Sequence, residues 1–161
     1  MGDNLGPALQ RFRVAATNFI ETVDSLSNLE RETFLSSVSR CLAELYSSAL
    51  HLPVVEPETA MADETLFPTE QWAALLQAIK DKIGPQDAYW QVFDSMEKEA
   101  PVEGSLAGDI SEIYYDLKQD FQLEEKEISH SDLMWELRES FREHWGRHAI
   151  RALKAIHDLC L

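Results

Sequence analysis

The sequence predicts an all-α protein: a single-domain antiparallel bundle of about five to six helices over residues 1–161, with a long central C-terminal helix. Three observations predict it. Apolar residues recur at steps of three and four through most of the chain, while strand-like alternation is nearly absent. The segments between periodic stretches are mostly short, which favours antiparallel neighbours. And 161 residues, 45% of them hydrophobic, suffice for one domain with a real core.

The elements follow in order. Leu9, Phe12, Ala16, Phe19, Val23 and Leu26 share one face of a helix over 8–26, with Pro7 near its start. Ser27-x-x-Glu30 reads as a capping box opening a second helix. Its stripe is Phe34, Val38, Cys41 or Leu42, Leu45, Ala49 and Leu52, and Pro53 ends it. Residues 53–68 read as a long loop. Thr69 is a plausible N-cap for a third helix carrying Trp72, Leu75, Leu76, Ile79 and Ile83, which Gly84-Pro85 stops. A short helix is expected over 86–96 and a polar loop over 97–104. A fifth helix covers about 105–123, with Leu106, Ile110, Ile113, Tyr114, Leu117 and Phe121 on its apolar face. After a turn near 124–130, a sixth and longest helix runs over about 131–160.

Charge narrows the function classes. The net charge is -15 and the pI about 4.6. Nucleic acid and anionic membrane both need clustered Lys and Arg, so neither is expected as a partner. No apolar run approaches the length of a membrane span, and MGDNLGPALQRF does not read as a leader, so a cytoplasmic location is expected. Cys41 and Cys160, without a CxxC, read as free, buried thiols of a reducing compartment. In residues 131–161, Asp132, Glu136, Glu139, Glu143 and Asp158 balance Arg138, Arg142, Arg147, Arg151 and Lys154. The whole excess of acid therefore lies in residues 1–130. A neutral, arginine-bearing helix in an acidic chain is where acidic helices find partners.

The stretch SFREHWGRHAIRALKAIHDL (140–159) carries the chemistry worth weighing. On a uniform helical wheel, His148 falls inside a broad apolar arc and His144 at its edge with Arg151. A buried imidazole needs a hydrogen-bond partner. Asp109, Asp116 and Asp120 line one flank of the fifth helix and could supply it. An antiparallel pairing through the turn sets Asp109 at the level of His144 to His148, Glu112 opposite Arg142 and Asp116 opposite Arg138. The candidate polar cluster is thus Asp109, Glu112, Asp116, Arg138, Arg142, His144, His148 and Arg151. One reading makes His144, His148 and Asp109 ligands of a divalent metal, since histidines at i and i+4 can share an ion. The other makes them a satisfied core histidine and an edge histidine bonded to carboxylates, with Asp109-x-x-Glu112 an N-terminal capping arrangement. No HExxH or Glu-x-x-His pair supports the first. Gly146 costs about 1 kcal/mol relative to Ala in a helix interior. Close approach of another backbone or of an aromatic ring (Trp145, Trp135, Trp90 or Trp72) is the expected reason, with space for a ligand the functional alternative.

Four stretches carry a family resemblance: LAELYSSALHLP (42–53), YWQVFDSM (89–96), DISEIYYDLKQDF (109–121) and SFREHWGRHAIRALKAIH (140–157). Together they resemble the bacterial family known as domain of unknown function 5063. FDSM departs from that family's FDP ending, which bears on the local turn. The resemblance implies a bacterial, cytoplasmic, single-domain helical protein and brings no activity. It singles out Tyr46, Asp109, Asp116, His144, Trp145, Gly146 and His148.

No nucleophile elbow, phosphate loop or dinucleotide fingerprint appears. The expected function is therefore a non-enzymatic protein-interaction or regulatory module, with another protein as partner and an oligomer allowed. The acidic body would speed association with basic partners. The alternative is a metal-binding helical bundle using His144, His148 and Asp109, either an enzyme or a sensor. Otherwise no cofactor is expected.

Overall fold

The computed structural model describes residues 6–59 and 69–160. They are mostly helical, with one small two-stranded antiparallel sheet. The order is α1 (Pro7–Asp24), α2 (Arg31–Leu50), α3 (Thr69–Ile83), β1 (Ala88–Gln91), β2 (Val102–Ser105), α4 (Leu106–Glu124), α5 (His130–Ser140) and α6 (Gly146–Cys160). A π-helical turn, Phe141–Trp145, joins α5 to α6 without a break.

The helices follow from their apolar stripes. α1 buries Leu9, Phe12, Ala16, Phe19 and Val23, and α2 buries Phe34, Val38, Leu42, Leu45 and Ala49, as their spacing predicts. Each large buried side chain contributes about 1.5–3 kcal/mol of transfer free energy. Pro7 opens α1 with its fixed φ. Gly84 ends α3 at φ +78°, a conformation costly to a residue with a Cβ. Arg31 Nε then donates to the Ile83 carbonyl at 2.9 Å and Lys82 Nζ to that of Leu29 at 2.7 Å. These bonds tie the end of α3 to the start of α2. α4 packs against α1, α3, α5 and α6, and α6 packs against α2 and α4. The C-terminal helix thus has neighbours on two sides, as its wide apolar arc predicts, but α4 lies at the centre with it.

Several expectations are corrected. The chain is not all-α: the helix expected over 86–96 is replaced by a 3-10 turn (Gly84–Gln86) and β1, and the loop expected over 97–104 contains most of β2. Tyr89 pairs with Gly104, and its ring lies where a Cβ on Gly104 would stand, 2.6 Å from the nearest ring carbon. The glycine admits the ring, and the ring covers the strand. Ser27 and Glu30 form no capping box: Ser27 lies in a 3-10 turn (Leu26–Asn28), and Glu30 precedes α2 without a side-chain cap. Thr69 is the first residue of α3 and not its cap. The loop expected over 53–68 is described only to residue 59, where it is irregular; the rest lies outside the described residues. Cys41 is buried, but Cys160 is exposed.

α4 begins where it does because of Asp87 and Ser105. The Ser105 hydroxyl accepts from Gly108 N–H at 3.0 Å, and Asp87 accepts from Ala107 N–H at 2.6 Å and from the Ser105 hydroxyl at 2.7 Å. That cap frees Asp109 from the capping role the sequence offered it.

Candidate functional site

Two carboxylate–imidazole pairs join α4 to the C-terminal helical run. Asp109 is buried at 5% exposure. Its Oδ1 accepts from His148 Nδ1 at 2.7 Å, and its Oδ2 accepts from the Tyr89 hydroxyl. Asp116 Oδ2 accepts from His144 Nδ1 at 2.5 Å. The two imidazoles meet edge to face, with centroids 4.9 Å apart. The hydrogen bond to Asp116 raises the His144 pKa against the opposing effect of burial; the charges of Asp116 and Glu112 add to the rise. Burial, then the bond to Asp109, pushes the Tyr89 hydroxyl far above its ordinary value, so it remains a donor at neutral pH. Tyr89 therefore latches the hairpin to α4.

The eight residues of the expected cluster divide into groups. Asp109 meets His148 as the sequence register predicts. Asp116 meets His144 and not Arg138, whose Nη1 donates instead to the Leu52 carbonyl at 2.8 Å. Glu112 contributes to the field at His144, while Arg142 is exposed and bonds Glu143 at 2.8 Å and Glu139 at 3.5 Å. Arg151 turns toward the hairpin, its guanidinium 5.5 Å above the Phe93 ring. Among the described residues, no three His, Cys, Asp or Glu side chains gather to hold one metal ion. Asp109 instead orients one imidazole and Asp116 the other, and neither Nε2 has a protein hydrogen-bond partner among the described residues.

His144 itself lies in the π turn. Gly146 N–H donates to the Phe141 carbonyl, an i to i−5 bond. A Cβ on Gly146 would overlap that oxygen and stand 2.8 Å from the Phe141 ring. The close approach inferred from the sequence is present, but the ring is Phe141, a residue of the same helical run. Trp145 is fully buried between Phe141 (4.8 Å) and Phe12 (6.3 Å), and its indole N–H has no hydrogen-bond partner among the described residues. A second buried polar atom lies further along α4. Asp120 is 4% exposed, its Oδ2 has no hydrogen-bond partner among the described residues, and burial followed by the charges of Asp116 and Glu136 holds its carboxyl well above the usual range.

Sequence reasoning missed a large concavity. A cleft of about 1300 Å³ opens between the β1 segment and α6. Tyr89, Trp90 and Phe93 form one wall; Arg147, Ile150, Arg151 and Lys154 form the other. Trp90, Phe93 and Ile150 are 71%, 64% and 50% exposed. The spacing 147–151–154 on one helix face and the strand-forming run Tyr89–Phe93 were the available signals.

The family model described as Domain of unknown function (DUF5063) matches residues 4–161, nearly the whole chain. The chain belongs to the DUF5063 family. Among solved structures it is similar to the crystal structure of protein BF1032 from Bacteroides fragilis, with 22% identity and a TM-score of 0.79. That alignment covers 96% of this chain and 93% of the other. At this identity the likeness shows that the DUF5063 chain and the Bacteroides protein share a fold. No curated protein matches it. None of the helices among the described residues is long and apolar enough to cross a membrane.

Proposed function

We propose that this chain is a non-enzymatic protein-interaction or regulatory module of the bacterial cytoplasm. It is an antiparallel helical bundle whose partner protein docks at the cleft between the β1 segment and α6. The observation that carries this reading is the exposure of Trp90, Phe93 and Ile150 at one concavity. Exposed apolar side chains gathered in a groove are the usual mark of a protein-binding site. The chemically capable side chains, by contrast, are bonded to one another. The test is a quantitative capture experiment with the full chain and a Trp90→Ser/Phe93→Ser double variant, checked for folding by circular dichroism. A protein held by the wild type and lost by the folded variant is expected. An identical captured set from both would overturn the reading.

One observation favours a second reading, metal binding. Each imidazole is held through Nδ1 by a carboxylate with Nε2 unpartnered, the arrangement that metal-binding histidines use. His144 and His148 would be the ligands, and Asp109 and Asp116 the groups that orient them. Elemental analysis of untagged protein and its melting temperature with added Zn, Ni, Mn or Fe test this reading. Stoichiometric metal, and a rise in melting temperature that His148→Gln abolishes, are expected. No bound metal and no rise would end it.

A further inference from the structure

The cleft walls are not equivalent in charge. Three acids and three bases line it, which makes it neutral within a chain of net charge -15. Most of these groups are already engaged. Lys154 bonds Asp158 at 2.5 Å, Arg147 lies 3.9 Å from Glu143, Glu99 accepts from the Asp94 N–H, and Asp94 accepts from the Met96 N–H. Arg151 alone among the three bases has no carboxylate partner among the described residues. Its contact is the face of Phe93, which orients a guanidinium without using its donors. Arg beside exposed aromatic rings is the composition of an interface hot spot. A guanidinium is satisfied best by a carboxylate, which it can meet with two parallel bonds.

We propose that the occupant of this cleft is an apolar segment of a partner protein carrying one side-chain carboxylate. The carboxylate meets Arg151, and the apolar side chains lie against Trp90, Phe93 and Ile150. This rests on the docking reading above and adds the partner's chemistry. It also reverses the expectation drawn from net charge, because the local unpaired cation, and not the acidic body, selects the partner. At physiological salt, charges more than about 8 Å apart are largely screened, so the near group decides.

The experiment pans a random-peptide display library, with capped termini, against the full chain. Enriched sequences are expected to combine apolar residues with one fixed Asp or Glu, and to lose binding to Trp90→Ser/Phe93→Ser. The best peptide is then remade with its acid as the matching amide. The amide is expected to bind the wild type about tenfold more weakly, and Arg151→Gln to bind both peptides alike. An exposed Arg40→Glu variant controls for the general effect of charge. Enriched peptides that carry no acid or carry a base overturn the proposal, as does a preference that survives Arg151→Gln. So does a library that yields no sequence dependent on Trp90 and Phe93. If the enriched peptides need those two aromatics but no acid, the docking site stands and only its assigned chemistry fails.

Discussion

At the scale of single residues, the buried carboxylates divide by what surrounds them. Asp132 is buried but accepts from Thr59 N–H at 3.0 Å, Glu58 N–H at 2.7 Å and the Thr59 hydroxyl at 2.8 Å, and these donors lower its pKa. Asp120 is buried beside other acids; the Ser140 hydroxyl bonds it but does not offset the burial, and its pKa is raised. The sign of the consequence follows from linkage. A carboxyl whose folded pKa lies above its unfolded value of about 3.9 binds more protons in the folded state. Stability is therefore lost as pH rises from that value through the folded pKa. Asp120→Asn removes the ionisation and keeps an acceptor for Ser140. The variant is expected to be more stable than the wild type near neutral pH, with the gain vanishing toward pH 4. Urea unfolding at several pH values measures this; a variant less stable at neutral pH would show that Asp120 carries a favourable charge. Nothing in the sequence marks Asp120 apart from Asp116, since both lie on the same flank of α4. What separates them is that Asp116 has an imidazole within reach.

At the scale of elements, two junctions fix the site. The first is the π turn. The sequence shows Gly146 as a weak point in a long helix and prompts the right physical question. It does not show that the helix gains a residue there, because a wheel drawn at a constant angle has no place for an i to i−5 bond. The predicted register errs by more than that one residue: it places Asp116 opposite Arg138, and Asp116 meets His144, six residues further on. Gly146→Ala drives a methyl group into the Phe141 carbonyl and ring. A loss of about 1–3 kcal/mol is expected, as for overpacked cores, measured by denaturant midpoint at constant slope. A neutral outcome would mean that the turn relaxes to regular α-helix around the new side chain.

The second junction is the hairpin. Its strands were illegible because residues 86–96 are short and apolar, and short apolar runs fit helix and strand alike. The deciding interactions are not local: Tyr89 over Gly104, and the Tyr89 hydroxyl on Asp109. Tyr89→Phe keeps the ring and removes the donor, leaving Asp109 with His148 alone. A buried acceptor deprived of a partner costs about 1–3 kcal/mol. Hydrogen exchange is expected to rise across Ala88–Gln91 and Val102–Ser105 while α1 and α2 keep their protection. Uniform loss of protection across all helices would show that the hairpin is not a separate unit.

At the scale of the whole molecule, the helices were readable because each carries its own apolar stripe, and α1 and α2 need no distant partner to define their faces. The cleft was not readable, because its walls come from a strand misread as a helix and from the outer face of α6. The same scale governs the response to pH. An excess of acid gives the folded chain a self-repulsion that grows as carboxyls and histidines lose protons. Two identified groups act in the same direction: Asp120, raised by burial, and His144, raised by its bond to Asp116. A histidine whose folded pKa lies above its unfolded value of about 6.5 contributes stability that is fully present below that value. The contribution is lost as pH rises through the folded pKa. The melting temperature of the wild type is therefore expected to fall between about pH 6 and pH 8. His144→Asn should flatten that fall by lowering the value at pH 6 more than the value at pH 8. Because His144 is half exposed, the effect should also shrink as salt is added. A variant that lowers the melting temperature equally at both pH values would show that His144 contributes by packing and not by charge. An effect unchanged by salt would place the pair in a drier setting than its exposure implies.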